Sequence, residues 1–444
     1  MYSKLTVGVG RAKITPPLGT ILFGYAPGRP AESVGDDLYV TAIAIGSGDT
    51  QALLLTADLC VIAPQIFADI RDQTSHITGI PSDNIICSTT HTHSGPNTST
   101  HNGWGDPDMP YVENILIPGS LAAAKDAVAN RRPALMGIGT TQSDVAANRR
   151  QALPDGRIVL GQNPWGLRDT TMTVLSFKDA ENDKPIVNLI HYCAHATASG
   201  CNPEITRDWP GPMTDMLERE SGAMTAFFNG SIGETGPNLP NGQTTGTYKM
   251  ALELGDKAGI DAVRAWRSIK EWRDSPVHRI ADDIKIPYEP LVAKDVALAE
   301  MTKLGTEEQL RSQKRFSEIN ELIRWQNIVH EYVSDQPRKT HYVFHQTILA
   351  AGPVVFIPFQ FEMFIDMTMR LRNFSKFAYT LCLSNANGSM AYLPSQDQIC
   401  RGGYEVWYFR YGHTYKLVDD ADNYMVSENL RLLNRLFDAS QECH

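Results

Sequence analysis

The sequence predicts an α/β fold in which mixed sheets are covered by helices. Short apolar runs alternate with stretches of helical spacing across residues 40–266, and this alternation is typical of a sheet with helices packed on its faces. The chain has 444 residues and is 42% apolar, which is enough for one large hydrophobic core. We therefore predict a single large domain over residues 1–444, with a helical hairpin inserted at about residues 293–335.

The predicted elements follow from local patterns. A strand is predicted where a short apolar run is bounded by turn residues, and the turn at residues 46–49 joins the first two strands as a hairpin. A helix is predicted where apolar residues recur every three or four positions. The predicted strands are residues 40–45, 52–56, 85–89, 171–177, 185–190, 223–228, 342–349 and 354–357. The predicted helices are residues 66–78, 111–130, 209–220, 249–266, 363–372 and 427–439.

Two segments of the second half need separate treatment. Residues 293–335 are rich in Glu, Gln, Lys, Arg and Leu and contain no proline. Ile319, Leu322 and Val329 lie near helical spacing there, so we predict two helices broken near Gly305 that form a surface hairpin. A packing role is favoured for this hairpin over a partner-binding arm. Residues 384–415 are predicted to be a long loop.

Charge and composition limit the class of partner. The net charge is −10 without a block of like charges, which argues against nucleic acid and against docking on anionic lipid. No run approaches the ~20 apolar residues of a membrane span, and residues 1–6 lack the apolar core of a signal peptide. The seven cysteines have no C-x-x-C spacing, as expected for free thiols in a reducing compartment. We expect a cytoplasmic protein with a small-molecule partner and leave its oligomeric state open.

The segment with the most chemistry is His91-Thr92-His93, which follows the predicted strand 85–89 and precedes Gly95-Pro96. In an extended segment, residues two apart point the same way, so both imidazoles are expected to face one cleft. Such a pair suits metal binding or acid–base chemistry. The alternative is a pair of loop histidines that are simply hydrogen bonded.

Two further segments follow predicted strands. His191 and His195 come after the strand at 185–190, and small residues surround His195. The Gly-rich loop at residues 229–238 follows the strand at 223–228 and exposes backbone N–H groups that can bind an anion. Ligand sites in such sheets gather where strands end, so these loops are expected to meet.

Taken in order, these motifs resemble those of the neutral/alkaline (non-lysosomal) ceramidases, zinc-dependent amidases that cleave N-acyl sphingosines. The resemblance spans nearly the whole chain and implies the family's N-terminal catalytic domain. We expect neither the signal peptide nor the C-terminal β-domain of the family's long secreted forms. The matching segments are residues 8–16, 88–96, 148–150, 195–197, 233–238, 387–394 and 402–405.

Four zinc ligands are implied by the resemblance: His91, His195, an acidic residue and Tyr392. The acidic position has two candidates. Matching the proline at Pro358 puts Gln360 there, whereas matching residues 370–372 puts Glu362 there. Glu362 is favoured because an anionic oxygen balances Zn²⁺ and a neutral amide rarely binds it.

The resemblance also assigns residues around the metal. His93 either transfers a proton or orients another ligand. Arg149 matches an arginine near the reacting carbonyl, with an ordinary salt bridge as the alternative, and Tyr404 matches a substrate-side tyrosine that would steady an oxyanion with it. Asp58 either holds a ligand histidine's N–H or caps a turn.

Two histidines and a carboxylate leave an open position on zinc, and a water held there has its pKa lowered to about 7. The chain is therefore expected to be a zinc-dependent amidohydrolase that cleaves the C–N bond of a small amide or N-acyl substrate rather than ceramide. The family's loop serine is Gly236 here, which excludes a covalent serine route at that position. The alternatives are an ester or lactone hydrolase at the same zinc site, or a catalytically inactive binding protein on the same fold.

Overall fold

The computed structural model describes residues 5–101 and 103–442. Its strands range from two-residue bridges to eleven-residue strands. In chain order they are β1 (Thr6–Lys13), β2 (Ile21–Leu22), β3 (Arg29–Pro30), β4 (Ser33–Val34), β5 (Tyr39–Ser47), β6 (Thr50–Ala57), β7 (Ile85–Thr89), β8 (Arg132–Gln142), β9 (Ala146–Ala152), β10 (Ile158–Asn163), β11 (Thr171–Asp179), β12 (Pro185–Tyr192), β13 (Glu204–Ile205), β14 (Met224–Asn229), β15 (Thr235–Pro237), β16 (Trp272–Arg273), β17 (Val277–Pro287), β18 (His341–Ala351), β19 (Val354–Pro358), β20 (Glu362–Met363), β21 (Tyr379–Leu383) and β22 (Tyr392–Leu393).

The helices begin and end at recognisable signals. Pro64 opens the first helix and Gly79, with φ of 71°, ends it in the left-handed conformation. In chain order the helices are α1 (Pro64–Thr78), α2 (Met109–Tyr111), α3 (Ile117–Ala129), α4 (Pro210–Ser221), α5 (Tyr248–Arg267), α6 (Lys294–Leu304), α7 (Glu307–Ser312), α8 (Phe316–Glu331), α9 (Ile365–Phe374), α10 (Gln396–Ile399), α11 (Tyr404–Tyr411) and α12 (Ala421–Glu442).

Two sheets form the centre of the molecule. The larger has the order β14-β12-β11-β8-β1-β5-β6-β7, with β16 beside β8, and the smaller has the order β17-β18-β19-β21. One buried apolar cluster joins the facing sides of both sheets. Helices α1, α3, α4 and α5 cover the outer side of the larger sheet, and α9 and α12 cover the smaller. The predicted class, mixed sheets covered by helices, is therefore confirmed.

The larger sheet curls so that its two ends approach each other. The Thr56 hydroxyl of β6 donates to the Phe227 carbonyl of β14 over 2.8 Å, and the Asn229 amide donates to the Thr90 carbonyl over 3.1 Å. At each end the last two strands run parallel, β6 with β7 and β12 with β14. The loops after β7, β12 and β14 therefore meet at one place, as the sequence predicted.

Most predicted strands and helices agree with the structure within a few residues, but strands β9, β10, β17 and β21 were not predicted, and three further regions differ. Residues 384–415 are not a loop, because they contain β22, α10 and α11. The insertion holds three helices rather than two: α6 ends before Gly305, and Thr306 starts α7 with a capping box. Strand β8 was not predicted, since Gly137 and Gly139 interrupt its apolar pattern. A Cβ at Gly139 would lie 1.9 Å from the Ala265 carbonyl oxygen of α5, so glycine is required for the helix to pack there.

Candidate active site

His91 and His93 face one another, but not because they lie on an extended strand. Strand β7 ends at Thr89, and His91 has a φ of 66°, in the left-handed region. The two rings have centroids 4.8 Å apart, with their Nε2 atoms 3.2 Å apart. The expectation of an extended H-x-H pair was wrong in its geometry, although both imidazoles do face one cleft.

Backbone carbonyls fix how His91 and His195 carry their protons. His91 Nδ1 lies 2.7 Å from the Cys60 carbonyl oxygen, and His195 Nδ1 lies 2.9 Å from that of Thr235. A carbonyl can only accept, so each Nδ1 carries the proton and each Nε2 is left with a bare lone pair. The Asn385 amide lies 3.1 Å from the same His91 nitrogen and accepts from it when the amide is turned over.

Glu362 lies against both bare nitrogens. Its carboxylate oxygens are 3.6 Å from His91 Nε2 and 3.0 Å from His195 Nε2. The carboxylate is only 6% exposed, and neither His195 Nε2 nor Glu362 Oε2 makes a well-directed hydrogen bond. Burial lowers the pKa of His91 and lowers that of His195 to about 3. Three acceptors therefore converge in a buried space, and no proton separates them.

This arrangement fits a zinc ion. Burial by itself would raise the pKa of Glu362, and the charged Arg149 guanidinium opposes that effect and favours the carboxylate form. Two imidazole nitrogens and a carboxylate are the donors that catalytic zinc takes. Donors about 2.0–2.1 Å from one tetrahedral ion lie about 3.4 Å apart, which is close to the separations found here. A cation would relieve the repulsion among the three acceptors.

Tyr392 is held beside this cluster by its backbone and by Arg149. Strands β20 and β22 pair in parallel and place Tyr392 opposite Glu362. Arg149 donates to the Tyr392 hydroxyl over 3.0 Å and to the Glu405 carboxylate over 2.9 Å. Arg150 donates to the other Glu405 oxygen over 2.7 Å. Arg149 thus makes the ordinary salt bridge and also reaches the site.

Comparison with known proteins finds a family that matches this chain. Residues 5–250, more than half of the chain, match the family described as "Neutral/alkaline non-lysosomal ceramidase, N-terminal". The chain belongs to the neutral/alkaline non-lysosomal ceramidase family. Membership of this family supports the prediction that the chain is a hydrolase. No curated protein matches the chain.

Solved ceramidase structures share the fold. The neutral ceramidase of Pseudomonas aeruginosa matches with a TM-score of 0.75 at 18% identity, over 98% of this chain and 75% of that one. A structure titled "Ceramidase complexed with C2" matches with a TM-score of 0.72 at 16% identity, over 97% of this chain and 76% of that one. In the part of this ceramidase-family chain that the structure describes, no helix is long and apolar enough to cross a membrane.

The two candidates for the acidic position occupy different places in this ceramidase-family chain. Gln360 donates to the Asn387 carbonyl over 2.9 Å and accepts from the Tyr342 hydroxyl. Both ends of its amide are therefore engaged away from the histidines, and Glu362 occupies the position between them. The suggestion that Asp58 holds a ligand histidine was wrong, because its carboxylate accepts from the Tyr39 amide over 2.9 Å. That contact instead links the start of β5 to the end of β6.

Tyr404 and His93 line a cavity of about 50 Å³ beside the cluster. The Tyr404 side chain is 40% exposed, and its ring centroid is 5.8 Å from that of Tyr392. Sequence reasoning gave no role to four other residues that line this cavity: Cys60, His101, Trp104 and Tyr408. His101 and Trp104 belong to the loop after the His-x-His motif. Tyr408 lies one helical turn after Tyr404, which is the signal that would have found it.

Proposed function

We propose that this chain is a zinc-dependent amidohydrolase that cleaves the C–N bond of a small amide or N-acyl substrate. The observation that carries the proposal is the convergence of His91 Nε2, His195 Nε2 and the Glu362 carboxylate, none of which carries a proton. Tyr392 provides a further oxygen donor, and Arg149 donates a hydrogen bond to its hydroxyl over 3.0 Å. These four residues, two histidines, Glu362 and Tyr392, would hold the ion.

When bound, zinc supplies a water whose pKa is lowered to about 7 and polarises the substrate carbonyl. His93 would accept the proton that the water loses, since its ring is neutral and keeps one unprotonated nitrogen while its Nε2 lies 3.2 Å from that of His91. It then returns the proton to the leaving amine. His93 does not hold the Nδ1 of either ligand histidine, because backbone carbonyls do so, and this favours proton transfer over a ligand-orienting role.

Arg149 and Tyr404 are the donors for the oxyanion that forms on the substrate carbonyl. Glu405 fixes the Arg149 guanidinium before substrate arrives, and a donor held in place in advance stabilises developing charge most effectively. Tyr404 lines the same cavity and is 40% exposed, so its side chain is available to a bound substrate. Gly236 offers no nucleophile, and a metal-activated water needs none.

A cytoplasmic location and a single domain over residues 1–444 are part of the proposal. The location rests on the cysteine pattern: the six cysteines in the described part of the chain are all free, as is usual in a reducing compartment.

The test compares metal content and hydrolysis in three proteins. The wild type is expected to purify with equimolar zinc and to release amine from an N-acyl amide panel until a chelator is added. His91→Ala should lose both properties, whereas His345→Ala, which changes a half-exposed histidine paired with Asp83 and Asp283, should keep them. Parallel ester substrates separate an amidase from an esterase. Full hydrolysis by His91→Ala, or a wild type that cannot be loaded with zinc, would overturn the proposal.

A further inference from the structure

A side cavity of about 180 Å³ lies beside the active-site cavity. His101, Ala391 and Tyr408 line both spaces, so the two adjoin each other. Its volume is about ten times what a single water needs, which is room for a small arm of a substrate. The residues that line it are Pro64, Gln65, Thr100, His101, Asn320, Ser389, Met390, Ala391, Tyr408, Gly412 and His413.

The side cavity mixes polar and apolar groups and carries no fixed charge. Its lining contains neither a carboxylate nor a lysine or arginine. Burial lowers the pKa of His101 to about 4 and also lowers that of His413, so both imidazoles are neutral near pH 7. A group that enters this space meets neutral hydrogen-bonding partners and no counter-ion.

Among the residues that line the side cavity, Asn320 has an unpaired hydrogen-bond acceptor. It is 4% exposed, and its Oδ1 has no hydrogen-bond partner among the described residues. Leaving a buried acceptor unpaired is unfavourable, and a donor in the side cavity would satisfy it. Two further groups are available nearby. His413 Nε2 donates to the Met390 carbonyl over 3.1 Å and leaves its Nδ1 as an acceptor, and the Ser389 hydroxyl lies 3.4 Å from His101 Nε2.

Asn320 belongs to α8, in the inserted segment. The sequence predicted a packing role for this insertion, and the Ile319 and Leu322 side chains of α8 do pack in an apolar cluster of the insertion. Asn320 instead reaches the wall of the side cavity beside Tyr408. The insertion therefore contributes a polar residue to a space that adjoins the candidate zinc site.

We propose that the side cavity is a specificity subsite for a neutral hydroxyl-bearing arm of the substrate, with Asn320 accepting the hydroxyl proton. This inference rests on the proposed amide hydrolysis and names the substrate class more closely. An ammonium or carboxylate arm would be buried without a partner charge. An apolar arm would leave Asn320 unpaired, and sites built to bind a hydroxyl discriminate strongly against analogues that lack it.

The test uses two pairs of amides that differ by a hydroxyl in place of a methyl group. N-acetylethanolamine against N-propylacetamide places the hydroxyl on the amine side, and N-propylglycolamide against N-propylpropionamide places it on the acyl side. In the zinc-loaded wild type, kcat/KM for the hydroxylated member of one pair should exceed that of its partner by about tenfold or more. The pair that shows the preference identifies which arm occupies the side cavity.

Two variants on α8 then test whether Asn320 causes the preference for the hydroxyl substrate. Asn320→Ala should lower kcat/KM of the preferred hydroxyl substrate about tenfold, mainly through KM, and leave its methyl partner unchanged. Asn327→Ala, an exposed position on the same helix, is the matched control and should change neither. If Asn320→Ala does not fold, as judged by its thermal melt, Ser389→Ala replaces it and should reduce the preference.

The outcomes separate the two proposals. Hydrolysis of all four amides with no hydroxyl preference, or a preference that survives both Asn320→Ala and Ser389→Ala, would overturn the subsite and leave the amidohydrolase standing. No hydrolysis of any amide panel member by the zinc-loaded enzyme would overturn both.

Discussion

At the scale of single residues, Gly236 tests whether the proposed reaction requires only a metal-activated water. A Cβ built on Gly236 would lie 3.6 Å from the Thr244 Cβ and 3.8 Å from the Arg149 Cβ. These are ordinary contacts, so serine fits there. We expect Gly236→Ser to melt within about 2 °C of the wild type, since the change lies outside the strongly destabilising classes, and its kcat to stay within about threefold. A burst of product that reports an acyl-enzyme would instead show that a serine route is accessible.

The residue types at the site could be predicted from the sequence, but the backbone that brings them together could not. Glu362 was favoured over Gln360 because zinc chemistry prefers a carboxylate, and the structure places Glu362 beside both histidines. By contrast, the left-handed backbones of His91 and Asn385, with φ of 66° and 49°, follow from no local pattern. Such conformations persist only where the surrounding structure imposes them, and that information is tertiary.

At the scale of elements, Glu405 joins strand β9 to helix α11 through two buried arginines. Its side chain is 1% exposed and accepts from Arg149 and Arg150. Glu405→Gln would leave two buried guanidinium groups without a counter-charge, so we expect a loss of about 3–5 kcal/mol in the free energy of unfolding. Glu428→Gln, which breaks a half-exposed pair with Arg431, should cost under about 1 kcal/mol. Urea unfolding of both variants measures the difference, and equal losses would contradict this role of Glu405.

Glu234 links helix α9 to the pH dependence of stability. Both its oxygens lie within 3.0 Å of the Ile365 amide at the start of α9, yet burial raises the pKa of this carboxyl from 4.5 to about 8. The folded state therefore prefers the protonated form. The stability that this preference contributes is complete below pH 4.5 and is lost as the pH rises to about 8.

Replacing Glu234 with glutamine removes this titration and keeps an oxygen for the Ile365 amide. With chelator present, the free energy of unfolding of Glu234→Gln relative to the wild type should increase between pH 4.5 and 8. The slope should approach about 1.4 kcal/mol per pH unit. Urea unfolding at several pH values measures the slope, and parallel stability curves for the two proteins would rule out Glu234 as the titrating group.

Helix α11 shows why some helices cannot be predicted from the sequence pattern alone. Its residues, Tyr404 to Tyr411, are mostly aromatic, and their pattern does not separate an apolar face from a polar one. Tertiary contacts supply what the pattern lacks: Val406 and Phe409 pack into the core beneath the smaller sheet, and Glu405 pairs with the arginines of β9. The amphipathic helix α5, whose face buries Ala251, Leu254 and Ala258, was predicted within one residue at each end.

At the scale of the whole molecule, the order of strands decides which loops meet. The sequence indicated that ligands would gather where strands end, but not that the larger sheet curls until β14 approaches β6 and β7. That closure depends on pairings across more than a hundred residues, such as Thr56 with Phe227. It also places the loops of the larger sheet against β20 and β22, which follow strands of the smaller one. The candidate zinc ligands therefore come from both sheets.

A metal held by both sheets should add to the stability of the whole chain. The apo protein is expected to fold, because the two sheets share an apolar core that does not include the ligands. Bound zinc then stabilises only the folded state, by about 2.7 kcal/mol when free zinc is one hundred times Kd. Calorimetry measures Tm first with a chelator present and then at increasing zinc concentrations. We expect Tm to increase with the logarithm of the zinc concentration. His195→Ala should melt near the apo temperature whether or not zinc is present, while His345→Ala should respond as the wild type does. A wild-type Tm that does not change with zinc concentration would show that the candidate zinc ligands do not hold a metal, whatever the activity of the chain.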